Sequence, residues 1–258
     1  MRIAFFDSGI GGITVLHEAM KQLPHEDFLY FADTLHVPYG TKSKDEVLAF
    51  VKKSVDMIIK EEVKALVIAC NTATSIAIAE LRKTYEMPII GMEPAVKPAL
   101  EMNRSSGKRV LVFATPLTLK QSKYRELVSR MDDMGMVDSV PLPELVEFCE
   151  QLNVESQQII DYFLAKLEPF DLRRYGTVVL GCTHYPFYRG VLRKILPSHI
   201  QIVDGSSGTV NRLIQLLNDR NQLLGEGQSN IKFMCSSNET AYIQKMEKAL
   251  EIIQAIGE

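Results

Sequence analysis

Two cysteines in this chain stand in nearly the same local text. Ala65-Leu-Val-Ile-Ala-Cys70-Asn-Thr and Thr177-Val-Val-Leu-Gly-Cys182-Thr-His each run a strand-like apolar stretch into a thiol followed by polar residues. A lone thiol in such a place is ordinarily a small core hydrophobe. A matched pair on opposite walls of a crevice has another use. One thiol can take a proton from one face of a carbon while the other delivers a proton to the opposite face, which inverts the centre. A reference pKa of about 8.5 leaves both roles within reach of neutral pH, provided a neighbour tunes each thiol. His184 lies two residues beyond Cys182, and Asp7 ends a strand expected to lie beside Cys70. Each is placed to relay or stabilise a proton. Cys149, in a helical stretch, and Cys235, in a strand, lack such a setting and are assigned to packing.

The segment Asp7-Ser8-Gly9-Ile10-Gly11-Gly12 has the glycine density of a phosphate loop. A dinucleotide loop counted from Gly9 would need glycine where Thr14 stands, and no Gly-Lys-Ser/Thr sequence follows. The remaining reading is a tight turn that lets backbone amides and a helix N-terminus approach an anion such as a substrate carboxylate. Asn71, Thr72 and Thr183 directly follow the thiols and can hold an α-carboxylate and α-ammonium. Thr72 and Thr74 can also cap a helix. His17, His25, His36 and His199 show no partner pattern and are read as surface or structural. The chain has no Cys-x-x-Cys pair and no lysine in a recognisable pyridoxal-phosphate setting. No metal and no other cofactor are expected.

These residues need elements to hold them. Strands are predicted over Ile3–Phe6, Phe28–Ala32, Ala65–Ala69, Pro88–Gly91, Arg109–Ala114, Thr177–Gly181 and Ile231–Cys235. Helices are predicted over Thr14–Leu23, Asp45–Lys60, Thr74–Tyr85, Leu119–Arg130, Glu155–Leu167 and Glu239–Ile256, with loops over Val37–Gly40 and Asn218–Asn230. Strands alternating with helices argue for parallel sheets covered on both faces. The pattern restarts at Arg109. Two similar α/β domains from a duplication, related by pseudo-twofold symmetry, would face each other across an interdomain crevice. We expect the first to comprise residues 1–96 with a returning 207–258, and the second 97–206. Ligands of open parallel sheets bind at the carboxyl ends of the strands, where Asp7, Tyr39-Gly40, Cys70 and Cys182 would all sit.

At 258 residues the chain accommodates two cores. With 46% hydrophobic and 24% charged residues it is ordinary for a globular protein. A net charge of −3 gives no polyanion-binding field, and Arg173-Arg174 and Arg193-Lys194 read as solvated faces. Neither nucleic acid nor membrane is an expected partner. Met1-Arg2 is followed by only four apolar residues before Asp7, too few for a signal-peptide core, so a cytoplasmic location is expected. The four cysteines are expected to be reduced.

Asp-Ser-Gly-Ile-Gly-Gly-Ile-Thr-Val at 7–15 resembles the first motif of glutamate racemases, and Ala32-Asp33 with Pro38-Tyr39-Gly40 the second. Ile68-Ala-Cys-Asn-Thr-Ala-Thr74 and Gly181-Cys-Thr-His-Tyr-Pro186 resemble the family's two catalytic-cysteine motifs. The likeness runs in order along nearly the whole chain. It implies an isomerase that interconverts L- and D-glutamate without cofactor and supplies D-glutamate for bacterial peptidoglycan. It assigns Cys70 to D-glutamate and Cys182 to L-glutamate as base, with Asp7 and His184 assisting. Substrate contacts would be Asp7, Ser8, Tyr39, Gly40, Asn71, Thr72, Thr183 and His184. A homodimer is expected. Departures exist. Val140-Pro-Leu-Pro-Glu-Leu-Val-Glu147 replaces a Cys-Pro segment, leaving any contact by Glu147 open, and Lys42 stands where arginine is expected. The chain opens on its first strand, so activation through an N-terminal extension is not expected. An aspartate racemase of the same family is the nearest rival. A two-lobed solute-binding protein would need the crevice but not the paired thiols.

Overall fold

The computed structural model describes residues 1–92, 94–224 and 227–257. Among the described residues nine strands form two wholly parallel sheets. β1 (Ile3–Asp7), β2 (Phe28–Ala32), β3 (Ala65–Ile68) and β4 (Ile89–Gly91) make the first, ordered β4-β3-β1-β2, with a late strand on the outside of β2. β5 (Arg109–Ala114), β6 (Val137–Pro141), β7 (Tyr175–Leu180) and β8 (Gln201–Asp204) make the second, ordered β6-β5-β7-β8. Matching the strands in sequence gives both sheets the same 2-1-3-4 order. The internal repeat expected from the sequence has a counterpart in this shared strand order. The late strand, β9 (Ile231–Cys235), pairs with β2 and has no counterpart in the second sheet.

β1 and β3 are neighbours although β2 and the helices on either side of it lie between them in sequence, and β5 and β7 are likewise separated by β6 and its flanking helices. Such switch points leave a crevice at the strands' carboxyl ends. Asp7 and Cys70 emerge there from the first sheet, Thr115 and Cys182 from the second.

The strands are apolar on both faces because helices cover both. Ile3 and Phe5 enter one core, Ala4 and Phe6 another, as a period of two requires. The core containing Ile3 and Phe5 continues into Leu111, Phe113, Val178 and Leu180 of the second sheet, so one apolar layer joins the two units.

The helices in chain order are α1 (Ile13–Gln22), α2 (Lys44–Ile59), α3 (Asn71–Thr84), α4 (Val96–Asn103), α5 (Pro116–Lys120), α6 (Ser122–Met131), α7 (Glu144–Glu150), α8 (Gln157–Leu167), α9 (Arg189–Ile195), α10 (Ser206–Asp219) and α11 (Thr240–Gly257). α4 packs on β5 and β7, while α10 packs on α1 and β4. No described helix is long and apolar enough to cross a membrane.

Several boundaries differ from expectation. α3 starts at Asn71, three residues before the predicted Thr74, because the thiol of Cys70 occupies the N-cap and accepts the Ala73 amide at 3.4 Å. Neither threonine caps this helix; Thr74 Oγ1 donates back to the Ile68 carbonyl at 3.0 Å. The predicted helix over Leu119–Arg130 is two helices, α5 and α6, broken where Gln121 is extended. Tyr39–Thr41 is a short 3₁₀ turn rather than open loop. β6 escaped notice because it is an edge strand, with only Val140 fully buried and Asp138 and Ser139 interrupting the apolar run. α10 claims Asn218 and Asp219 from the predicted loop, of which Gly225 and Glu226 lie outside the described residues.

Candidate active site

The switch points of the two sheets face one another around a cavity of about 10 Å³. Ser8, Tyr39, Gly40, Cys70, Asn71 and Thr72 line it from the first unit, Thr115, Val146, Cys182, Thr183 and His184 from the second. The space suits about one water. An amino acid enters only if the walls part. Both thiols are free and buried, Cys70 at 6% exposure and Cys182 at 7%.

The thiols sit in different electrostatic surroundings. Among the described residues no cation is paired with Cys70. Its Sγ lies 3.9 Å from Ser8 Oγ, and burial together with the Asp7 carboxylate pushes its pKa up. Cys182 Sγ lies 3.7 Å from His184 Nδ1. The other ring nitrogen, Nε2, is 2.8 Å from Glu150 Oε1. Burial works against charge on His184, but the hydrogen bonds and charges of Cys182 and Glu150 outweigh it and hold the imidazole up at about 10. Glu150 is correspondingly held down at about 2: burial opposes its charge, and His184, Lys245 and Tyr242 more than compensate. Glu150 thus favours the protonated form of His184, whose Nδ1 faces Cys182.

Asp7 is fully buried, and burial raises its pKa against the charge of His184 and the hydrogen bonds it accepts. Its Oδ1 accepts the Gly9 amide at 3.1 Å and its Oδ2 accepts Thr183 Oγ1 at 3.0 Å, so it ties the second unit's motif to the first unit. Tyr39 lines the cavity and donates its hydroxyl to the buried Asp33 at 2.5 Å. Thr72 Oγ1 joins Thr115 at 3.0 Å and Thr118 at 3.1 Å. Asn71 is 4% exposed, and neither its amide nitrogen nor its oxygen has a hydrogen-bond partner among the described residues.

The glycine turn does meet an anion, but the anion is the chain's own. The Ile10 amide donates to Glu150 Oε1 at 2.8 Å. A Cβ on Gly9 would lie 1.8 Å from that oxygen, and one on Gly11 would lie 2.5 Å from His184 Nδ1. These glycines make room for the His184–Glu150 pair.

Sequence reasoning missed Glu150, Thr115 and Thr118. The segment around Glu147 drew attention, yet Glu147 is exposed and the inward carboxylate lies one helical turn later on α7. It also missed a partner for His36, whose Nδ1 lies 2.8 Å from Asp33 and whose ring stacks on Phe50 with centroids 3.7 Å apart. Cys149 and Cys235 are core residues at 0% and 1% exposure. Among the described residues no three His, Cys, Asp or Glu side chains are grouped to hold a metal ion.

The profile of the Asp/Glu/Hydantoin racemase family matches residues 14–213. A glutamate racemase of Halothermothrix orenii is 51% identical over 257 residues, covering 99% of this chain and all of that protein. Glutamate racemase 2 of Bacillus subtilis is 48% identical, covering 98% and 96%. The crystal structure of a Francisella tularensis glutamate racemase with D-glutamate superposes with a TM-score of 0.83 at 29% identity, over 97% of this chain and 93% of that one. Two thiols ending equivalent strands, the full-length matches and the shared fold agree: the chain belongs to the Asp/Glu/hydantoin racemase family.

Proposed function

We propose that this chain interconverts L- and D-glutamate, with Cys70 and Cys182 as opposed acid and base and with no cofactor. The observation that carries the proposal is the joint lining of one small cavity by both thiols and the partnerless amide of Asn71. A buried amide without partners costs about 1–3 kcal/mol, a cost a bound α-amino acid would relieve. The relatives named above support glutamate over aspartate as substrate.

The units part, admit the amino acid and close. In the L-to-D direction the Cys182 thiolate takes the α-proton, its S–H bond forming as the Cα–H bond breaks. The electron pair passes into the α-carbanion, stabilised by fixed dipoles and shielded from water. The Cys70 thiol then gives its proton to the other face and is left as thiolate. The reverse direction exchanges these roles. Ser8, Tyr39, Gly40, Asn71, Thr72 and Thr183 hold the substrate in one orientation, Asp7 sets the field at Cys70, and His184 carries the positive charge beside Cys182.

We also infer the domain division 1–96 with 207–258, and 97–206, supported by the packing of α4 and α10 on different sheets. A cytoplasmic homodimer that feeds peptidoglycan synthesis follows from the family reading; sedimentation would test the dimer. Incubating the purified protein with L-glutamate and with L-aspartate, with and without chelator, tests the function. Loss of optical rotation with L-glutamate, insensitive to chelator, supports it; turnover of aspartate alone, or none, contradicts it.

A further inference from the structure

Glu150 lies where the two units meet, and its two oxygens serve different masters. Oε1 accepts the Ile10 amide and faces His184, each at 2.8 Å. Oε2 accepts Tyr242 Oη at 2.5 Å and Lys245 Nζ at 3.1 Å. Lys245 Nζ also donates to the Glu150 carbonyl at 3.0 Å and sits 3.8 Å above the Tyr242 ring. Glu150 ends α7 and His184 follows β7, both in the second unit. Ile10 follows β1, and Tyr242 and Lys245 lie on α11, which packs on β9 and α1 of the first. Neither Tyr242 nor Lys245 lines the cavity.

We propose that Tyr242 and Lys245 are positioning residues for the Cys182 half of the reaction, acting through Glu150 on His184 when the units are closed. This rests on the racemase reading above. A carboxylate shared with a lysine cation and a phenol attracts an imidazolium less than one left alone with it. Opening withdraws α11 and the Ile10 amide and leaves His184 as the partner that travels with Glu150. The imidazolium is then held most firmly. Closure returns Lys245, Tyr242 and the amide to the carboxylate, and His184 becomes more acidic as the substrate is enclosed. The other groups facing this pair are Asp7 from β1, Tyr30 from β2, Cys149 on α7, Cys182, and Tyr188 before α9. Among all of these Lys245 is the one cation besides His184 itself, so its removal has a defined sign.

The test uses the full-length protein. Histidine ring resonances are titrated by NMR, with His184 assigned from its loss in His184→Asn. Lys245→Met should raise the His184 midpoint by about one pH unit. Tyr242→Phe should raise it by less, and Lys245→Arg should restore it. With enantiomers equal in free energy, kcat/KM falls equally in both directions, so the half-reactions must be separated. In a Cys70→Ala background, Tyr242→Phe should slow α-deuterium exchange into L-glutamate several-fold. In a Cys182→Ala background it should leave exchange into D-glutamate unchanged. A His184 midpoint unmoved in both variants, or equal slowing of both half-reactions, overturns the proposal. Should Lys245→Met fail to fold, Tyr242→Phe decides. The two readings fail separately: a wild type that does not racemise glutamate refutes the function, while the NMR shift alone still reports whether α11 acts on His184.

Discussion

Replacing Glu150 by glutamine removes one charge and little volume from behind His184. His184 stands at 2% exposure with Glu150 Oε1 at 2.8 Å, and its raised pKa of about 10 rests on Glu150 and Cys182 against the pull of burial. An opposite charge this close shifts a pKa by about 1–3 units, or about 1.4–4 kcal/mol of coupling at 1.36 per unit. Glu150→Gln should therefore lower the His184 midpoint to about 7–9 and cut kcat for glutamate by about 10- to 100-fold. The linkage has a definite sign. His184 is raised from 6.5, so its stabilisation is complete below that pH and is lost as pH rises through about 10. Glu150 is lowered from 4.5, so its stabilisation is complete above that pH and is lost as pH falls through about 2. The stability difference between wild type and variant should be greatest between pH 4.5 and 6.5 and shrink on both sides. Urea denaturation across pH, paired with pH–rate profiles, measures both. A difference that grows above pH 10, or an unchanged rate profile, would refute the assignment of charge to this pair.

Three further outcomes are expected. Asn71→Leu removes a partnerless buried amide, so its thermal midpoint should hold or rise, by at most about 1 kcal/mol of stability, while KM for glutamate rises about tenfold or more; calorimetry and steady-state kinetics check this, and a drop in stability with unchanged KM contradicts it. Gly9→Ala places a methyl 1.8 Å from Glu150 Oε1, so it should displace the carboxylate and reproduce the lowered His184 midpoint of Glu150→Gln, readable by the same titration. Cys149→Ala should cost about 1–2 kcal/mol of stability by opening a small core void and leave racemisation intact, because Cys149 is buried in the shared apolar layer; loss of turnover in folded variant protein would show that a third thiol participates.

Local signals carried much of this fold and failed where structure is set at long range. β2, β5 and β9 were bounded correctly because each is a short apolar run with turn residues or charges at its ends. The equivalence of Cys70 and Cys182 is visible because both segments keep strand, thiol and polar tail together. α10 was hidden by its opening Ser-Ser-Gly-Thr, a weak helix former whose stability comes from burying Val210, Leu213 and Leu217. Glu150 was hidden for a deeper reason. Its partners Ile10, His184, Tyr242 and Lys245 are distant in sequence, and nothing in the spacing of α7 separates it from the exposed Glu147. The glycines at 9 and 11 did carry a signal of close approach, but only the fold names what approaches.

The central claim is that each thiol serves one face of one carbon. The direct measurement is deuterium wash-in at the α-carbon in D2O, for Cys182→Ala and Cys70→Ala, each supplied with either enantiomer. The account predicts that Cys182→Ala labels D-glutamate and leaves L-glutamate unlabelled, and that Cys70→Ala does the reverse, with neither variant racemising. Labelling of the opposite enantiomers would reverse the stereochemical assignment, and near wild-type racemisation by either variant would contradict the two-thiol mechanism outright.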